Sequence, residues 1–261
     1  MIKFVSLISG SSGNATLVSD GKTNLLVDCG TSGKRIEAAL EKAGEAKDSI
    51  NALLITHEHS DHIKGAGVLA RRYKLPVYAT AATHRAMTGV GKIDDNLRFC
   101  VNPGKIFEIG NIGVEPFSIS HDAADPVGYS FYIGNEKLTV ATDTGFISGD
   151  IMDSLRGSGS ILLESNHDVE MLRCGPYPYH LQQRILGKKG HLSNNAAAEA
   201  ALELVCSGTE HIILGHLSEH NNLPEIALME TKQYLEDAGV AVGKDVTLQV
   251  AHRYDLTEAY I

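Results

Sequence analysis

The sequence predicts a layered α/β fold with its functional site at strand ends. Three observations predict it: short apolar runs of strand length alternate with stretches of helical periodicity, polar residues gather just beyond several of those runs, and no linker rich in Pro, Ser or charge divides the 261 residues. A chain of that length buries most of its unfolded surface. With no Trp and 6% aromatic residues, its core has to be built largely from Ala, Val, Ile and Leu. One domain over 1–261 is expected.

The elements follow in order. Residues 2–7, 14–18 and 24–27 read as strands, separated by small-residue turns at 9–13 and 20–21. Residues 36–43 have helical periodicity and stop at Gly44. Residues 52–55 form a buried strand that delivers Thr56 and His57 into a loop, and 65–73 read as a helix. Strands follow at 77–79 and 112–117, then a hairpin of 128–133 and 137–141 across Gly134 and Asn135. The short apolar runs 161–163 and 211–214 flank an Ala-rich helix, 193–205, with Ser193 or Asn194 as its N-cap. Residues 224–238 form a helix with Pro at its start and Gly239 past its end, and 246–250 form a final strand.

Composition narrows the function. A net charge of −9 works against broad, non-specific nucleic-acid binding, which needs a basic face. It leaves room for a nucleic-acid enzyme whose metal ions and local basic clusters (Arg71, Arg72 and Lys74; Arg184, Lys188 and Lys189) supply positive charge. No apolar run reaches membrane-spanning length, and the N-terminus lacks the pattern of a secretion signal, so a cytoplasmic protein without a membrane partner is expected. Cys29, Cys100, Cys174 and Cys206 are scattered without a CxxC pair, against both a disulfide framework and a thiolate zinc site.

The densest chemistry is the run His57-Glu58-His59-Ser60-Asp61-His62. In a loop, His57 and His59 can face one point while Asp61 and His62 turn toward a second. Imidazoles and carboxylates are what Zn²⁺, Mn²⁺ or Fe²⁺ accept, and gathering them without a cation costs desolvation.

This HxHxDH run after a strand resembles the second motif of the metallo-β-lactamase-fold superfamily, and the other motifs follow in order. Leu25-Leu26-Val27-Asp28-Cys29-Gly30 is similar to the first, His121 stands where the third is expected, Asp143 in Ala141-Thr142-Asp143-Thr144-Gly145 resembles the fourth, and His216 in Leu214-Gly215-His216-Leu217-Ser218 the last. The resemblance implies a four-layer αβ/βα sandwich of two mixed sheets flanked by helices. It also implies two divalent metal ions per chain, zinc or manganese, with iron a third option. His57, His59, His121 and Asp143 would hold one, and Asp61, His62, His216 and Asp143 the other, with Asp28 supporting the metal loop from behind. Asp61 and Asp143 are also catalytic by this resemblance, and a hydroxide between the metals is its nucleophile.

The substrate is read from weaker segments. Gly190-His191-Leu192-Ser193-Asn194 resembles the His-Ser/Thr element of the tRNase Z-like phosphodiesterases. Together with Leu163-Glu164-Ser165-Asn166-His167-Asp168 and the Ser9–Asn14 loop, it is similar to the bacterial YycJ/WalJ group. That resemblance implies a nucleic-acid substrate, DNA, and 5′→3′ exonuclease activity on duplex. Glu164 would share a proton with His191 as the general acid, with His167 an alternative. Ser11, Ser12, Asn14, Ser193 and Asn194 are candidate substrate contacts, because turn and helix-start N–H groups suit phosphate. A glyoxalase II-like thioester hydrolase is the enzymatic alternative, and a metal-stabilised binding module the non-enzymatic one. Nothing in the sequence fixes the oligomeric state.

Overall fold

The apolar runs are continuous because their strands are buried on both faces. Leu26 packs outward into one helix-covered core while Leu25 and Val27 pack inward, and Leu162 and Ile213 point inward while Ile161, Leu163, Ile212 and Leu214 point into a second helix-covered core. The structure, a computed structural model, describes residues 2–259; residues 1, 260 and 261 of the expected span lie outside the described residues.

The first sheet contains β1 (Lys3–Ile8), β2 (Ala15–Ser19), β3 (Asn24–Val27), β4 (Ala52–Leu54), β5 (Val77–Thr80) and β6 (Arg98–Val101). The second contains β7 (Phe107–Ile109), β8 (Ile112–Ser118), β9 (Val127–Ile133), β10 (Glu136–Ala141), β11 (Ser160–Glu164), β12 (His211–Gly215) and β13 (Thr247–Val250), after which β14 (Thr257–Ala259) returns to pair with β1. Among the described residues each sheet has seven strands, ordered β14-β1-β2-β3-β4-β5-β6 and β13-β12-β11-β10-β9-β8-β7. Each is antiparallel in one half and parallel in the other: β3 to β6 and β10 to β13 run parallel.

Between the sheets lies a core that includes Phe4, Val18, Leu25, Val27 and Leu54 from one side and Val114, Tyr129, Phe131, Val140 and Leu162 from the other. Helices cover the outer faces: α1 (Gly33–Lys42) and α3 (Ala66–Tyr73) on the first sheet, with a single turn α2 (Ser60–Ile63) before α3 and α4 (Ala81–Ala86) after β5. On the second lie α5 (Gly149–Leu155), α8 (Asn194–Cys206) and α9 (Pro224–Asp237), and α6 (Val169–Cys174) and α7 (Tyr179–Leu186) precede α8. This is the expected four-layer αβ/βα sandwich. Leu26 and Leu53, each 0% exposed, illustrate what holds it. Truncating either to Ala would cost about 2–5 kcal/mol, because lost burial and a cavity add.

Several short elements escape the sequence pattern: α2, α4, α5, α6, α7, β6, β7 and β14. Ser193 is the N-cap of α8, its side chain accepting the Ala196 N–H, and the 224–238 helix starts at Pro224 as read. No helix among the described residues is long and apolar enough to cross a membrane.

Candidate metal centre

Parallel strands converge on one edge of the sandwich, and there the sequence turns polar. Asp28 follows β3, Thr56 and His57 follow β4 by two and three residues, Asp143 follows β10 by two, Glu164 ends β11, and His216 follows β12. Asp28, Asp143 and His216 all take left-handed backbone, with φ of 60, 60 and 56°. That turn directs the chain sideways at the strand end, and Asp is among the non-glycine residues that tolerate it best.

The metal-loop expectation needs one correction. Asp61 and His62 lie on the helical turn α2 instead of an open loop, with His59 as its N-cap. Local hydrogen bonds win here: the N–H groups of His62 and Ile63 donate back to the His59 carbonyl. The turn sits on the loop after β3, where the Cys29 N–H donates to the His62 carbonyl at 2.7 Å. Gly30 permits that approach, since a Cβ there would stand 1.6 Å from the Asp61 carbonyl oxygen. The opposite sheet also anchors the loop: Tyr129 donates its hydroxyl to the Ile55 carbonyl, and the Val127 N–H to Thr56.

The side chains gather into overlapping groups, each with donor atoms within 4.8 Å of one another: His57, His59 and His121; His57, His62 and Asp143; Asp61, His62 and His216; and Asp143, Glu164, His191 and His216. Asp143 lies between them, its Oδ2 3.3 Å from His62 Nε2 and its Oδ1 3.5 Å from His216 Nε2 and 3.8 Å from His121 Nε2. Asp61 Oδ2 stands 3.6 Å from both His62 Nε2 and His216 Nε2. Tetrahedral ligands about 2.1 Å from a metal stand about 3.4 Å apart, so these spacings match a metal's coordination edges.

The fit to a cation is tested by atoms left without partners. His57 Nε2, His216 Nε2 and Asp143 Oδ2 are buried and make no hydrogen bond, an arrangement that costs free energy unless something fills the space between them. The other ring nitrogens are occupied. His57 Nδ1–H donates to Thr56 Oγ1 at 3.0 Å, His62 Nδ1–H to Asp28 Oδ2 at 2.8 Å, His121 Nδ1–H to the Gly190 carbonyl at 3.1 Å, and His216 Nδ1–H to Glu164 Oε1 at 2.8 Å. Each bond fixes the tautomer that leaves Nε2 as a lone pair, which is what a metal ligand requires. The residues fit divalent metal.

Two buried carboxylates stand behind the imidazoles. Asp28 accepts from His62 and from the N–H and hydroxyl of Thr56, at 2.8–2.9 Å. Glu164 Oε1 accepts from both His191 Nδ1 and His216 Nδ1 at 2.8 Å, and Oε2 from the N–H groups of Thr144 and Leu192 at 2.8 and 3.2 Å. Burial outweighs the donors at Asp28 and raises its pKa. At Glu164 burial also opposes charge, yet His191 and His216 hold it down to about 2. Burial likewise opposes charge on His216, but Asp143, Asp61 and Glu164 push it up to about 10. A cation in the cradle would take the place of the protons held there.

The remaining sequence candidates fall into two sets. Ser11 and Ser12 are exposed at the tip of the 9–13 turn. Asn14 is buried under the metal loop, accepting the Gly10 N–H through Oδ1 and setting Nδ2 3.1 Å from His62 Nε2. Asn194 is 0% exposed, its amide taken up by Ser165 and Asn222, and the Ser193 hydroxyl is taken up by its cap. His167 is buried with neither ring nitrogen bonded, and burial lowers its pKa to about 4. Sequence reasoning missed the contact of Glu164 with His216 and the N–H groups of Thr144 and Leu192.

With fold and cluster in view, the comparisons agree. Residues 8–216 match the metallo-beta-lactamase superfamily, and the chain belongs to it. It is 45% identical over 244 residues to exodeoxyribonuclease YycJ of Bacillus anthracis, covering 93% of this chain and 92% of that one. Exodeoxyribonuclease WalJ of Streptococcus pneumoniae is 42% identical over 246 residues, covering 93% of this chain and 91% of the other. Among solved structures, the metallo-beta-lactamase fold protein YhfI from Bacillus subtilis superposes with a TM-score of 0.72 at 17% identity, over 99% of this chain and 100% of that one, which speaks for the fold alone.

Proposed function

We propose that this chain is a two-metal phosphodiesterase acting on nucleic acid, a 5′→3′ exonuclease on double-stranded DNA. The observation that carries the substrate is the 42–45% identity, across more than nine-tenths of each chain, to proteins named exodeoxyribonucleases. The cradle supports the chemistry. In this reading His57, His59, His121 and Asp143 hold one ion, and Asp61, His62, His216 and Asp143 the other, zinc or manganese. Bound there, divalent metal supplies an acidified water and neutralises charge on the phosphoryl oxygens.

The chain's own residues do the rest. Asp143, reaching both ligand groups, sets the spacing between the two positions. Asp28 and Glu164 fix the tautomers of His62 and His216, so that their Nε2 lone pairs face inward. Glu164, held down to about 2, is ionised at neutral pH and is therefore not the proton donor itself. Its carboxylate instead accepts from His191 Nδ1 and orients that ring, and His191 is the residue that passes a proton to the departing oxygen in this reading. His167, lowered to about 4, is neutral and unsuited to that step.

Incubation with 5′-labelled duplex DNA and Mn²⁺ or Zn²⁺ tests the reading. Labelled mononucleotides are expected from the parent and not from Asp143→Ala. Equal release by both proteins, or release by neither, would overturn it.

A further inference from the structure

Beside the metal cradle lies a feature that the ligand set does not use. Phe146, three residues after Asp143, is 37% exposed although its loop is tightly held. Two clamps hold it: Gly145 N–H donates to the Ser120 carbonyl at 2.8 Å, and Ser120 Oγ donates to the Lys188 carbonyl at 2.8 Å. Gly145 permits this closeness, because a Cβ there would stand 2.3 Å from the Lys188 oxygen. The loop bearing Asp143 is thus pinned to the loop that leads into His191. At that seam the Lys188 ammonium lies 5.6 Å from the Phe146 ring centroid. Lys189 is exposed next to it.

Behind Phe146 a cavity of 310 Å³ opens between α5 and α8. Its walls are apolar near the ring, with Ile147, Met152, Leu192 and Ala196, and Leu192 directly follows His191. Its far end carries Glu199 and Glu203. Arg156, also there, is paired with Asp153 and Glu203. Arg184, the third basic residue of this stretch, is paired with Asp122 at 2.5 Å. Lys188 and Lys189 are therefore the cations of this basic stretch without an ion pair among the described residues, on a chain of net charge −9. A phosphate is repelled by the acidic end and attracted to the lysine end, whereas a planar base suits the apolar slot.

We propose that Phe146 and the slot behind it take a nucleobase of the strand being cleaved, next to the scissile phosphate, while Lys188 and Lys189 take the neighbouring backbone phosphate. This rests on the nucleic-acid reading above and adds the residues that grip the strand. An aromatic platform accepts any base, so the grip is tolerant of sequence, as removal of successive nucleotides requires.

The test compares binding of a phosphorothioate oligonucleotide, chosen because sulfur substitution slows cleavage, with turnover of bis(p-nitrophenyl) phosphate, a diester that has no nucleobase or second phosphate. Phe146→Ala is expected to weaken oligonucleotide binding, read by fluorescence anisotropy, by about 5- to 150-fold. Phe146→Tyr is expected to restore it. Lys188→Gln is expected to reduce the slope of log Kd against log salt by about 0.7–0.9. Turnover of the small diester, metal content and melting temperature report whether the fold and centre survive each change. Oligonucleotide binding undiminished in Phe146→Ala, or a parallel loss on both substrates, would overturn the proposal. A parent that cleaves the small diester but neither binds nor cleaves DNA would instead overturn the nucleic-acid reading itself. Unchanged DNA binding together with loss of self-association in Phe146→Ala would assign the slot to a second copy of the chain, against the proposal.

Discussion

The two sheets supply the metal cradle in different ways. The first delivers His57, His59, Asp61 and His62 from one short segment after β4, braced by Asp28. The second delivers His121, Asp143, His191 and His216 from four separate loops, braced by Glu164. Asp28 supports one imidazole and a threonine, and burial dominates it. Glu164 supports two imidazoles and two backbone N–H groups, and the two imidazoles outweigh its burial. On the proposed reading the difference teaches that one half of the centre would serve metal alone, while the other would couple metal holding to proton delivery through a single carboxylate.

That comparison can be broken at several points. Asp143 comes from the second half but stands among ligands of both, so Asp143→Ala should have the largest effect, a loss of about 10³-fold or more in nuclease turnover with reduced metal content by elemental analysis. The two carboxylates come next. Asp28→Asn and Glu164→Gln should each weaken metal binding about 10- to 100-fold. At saturating metal, Asp28→Asn should recover most of its turnover and Glu164→Gln should not, because His191 has lost its partner as well. Equal recovery in a metal titration of activity would abolish the distinction.

Chelation should lower the melting temperature by roughly 5–10 °C, taking metal at about 100 times its Kd to contribute about 2.7 kcal/mol. Hydrogen exchange should then rise more at residues 57–63, held by one turn and a loop, than at Thr144 and Leu192, whose N–H groups stay bonded to Glu164. The smallest effects belong to the polar residues outside the cradle. Asn194→Ala should cost about 1–3 kcal/mol in chemical denaturation, since Ser165 and Asn222 lose a buried partner, with turnover of the folded protein preserved. Ser11→Ala and Ser12→Ala, exposed at a turn tip, should stay within about 0.5 kcal/mol.

How legible this was in the sequence follows the same division. Strands such as β3, β11 and β12 announce themselves because burial on both faces makes them unbroken apolar runs. β6, with two of its four residues exposed, and the three-residue β14 lack that signature. Short helices such as α4 and α6 give too few turns for a periodicity to register. At the site, the contiguous ligands after β4 can be read as one word. The bond between Glu164 and His216 cannot, because it depends on the parallel pairing that sets Glu164 opposite Gly215. The N–H donors of Thr144 and Leu192 leave no side-chain signature at all.

The left-handed backbone at Asp28, Asp143 and His216 has a consequence for any attempt to harden this protein. Each such residue holds a conformation about 1–2 kcal/mol less comfortable than the right-handed one, and glycine would relax it. That strain is outweighed where it stands: Asp28 accepts three buried donors that glycine would leave unpaired, and Asp143 and His216 belong to the cradle that bound metal would stabilise by about 2.7 kcal/mol. Selection for heat resistance in the presence of metal would therefore keep all three side chains, and with them the site.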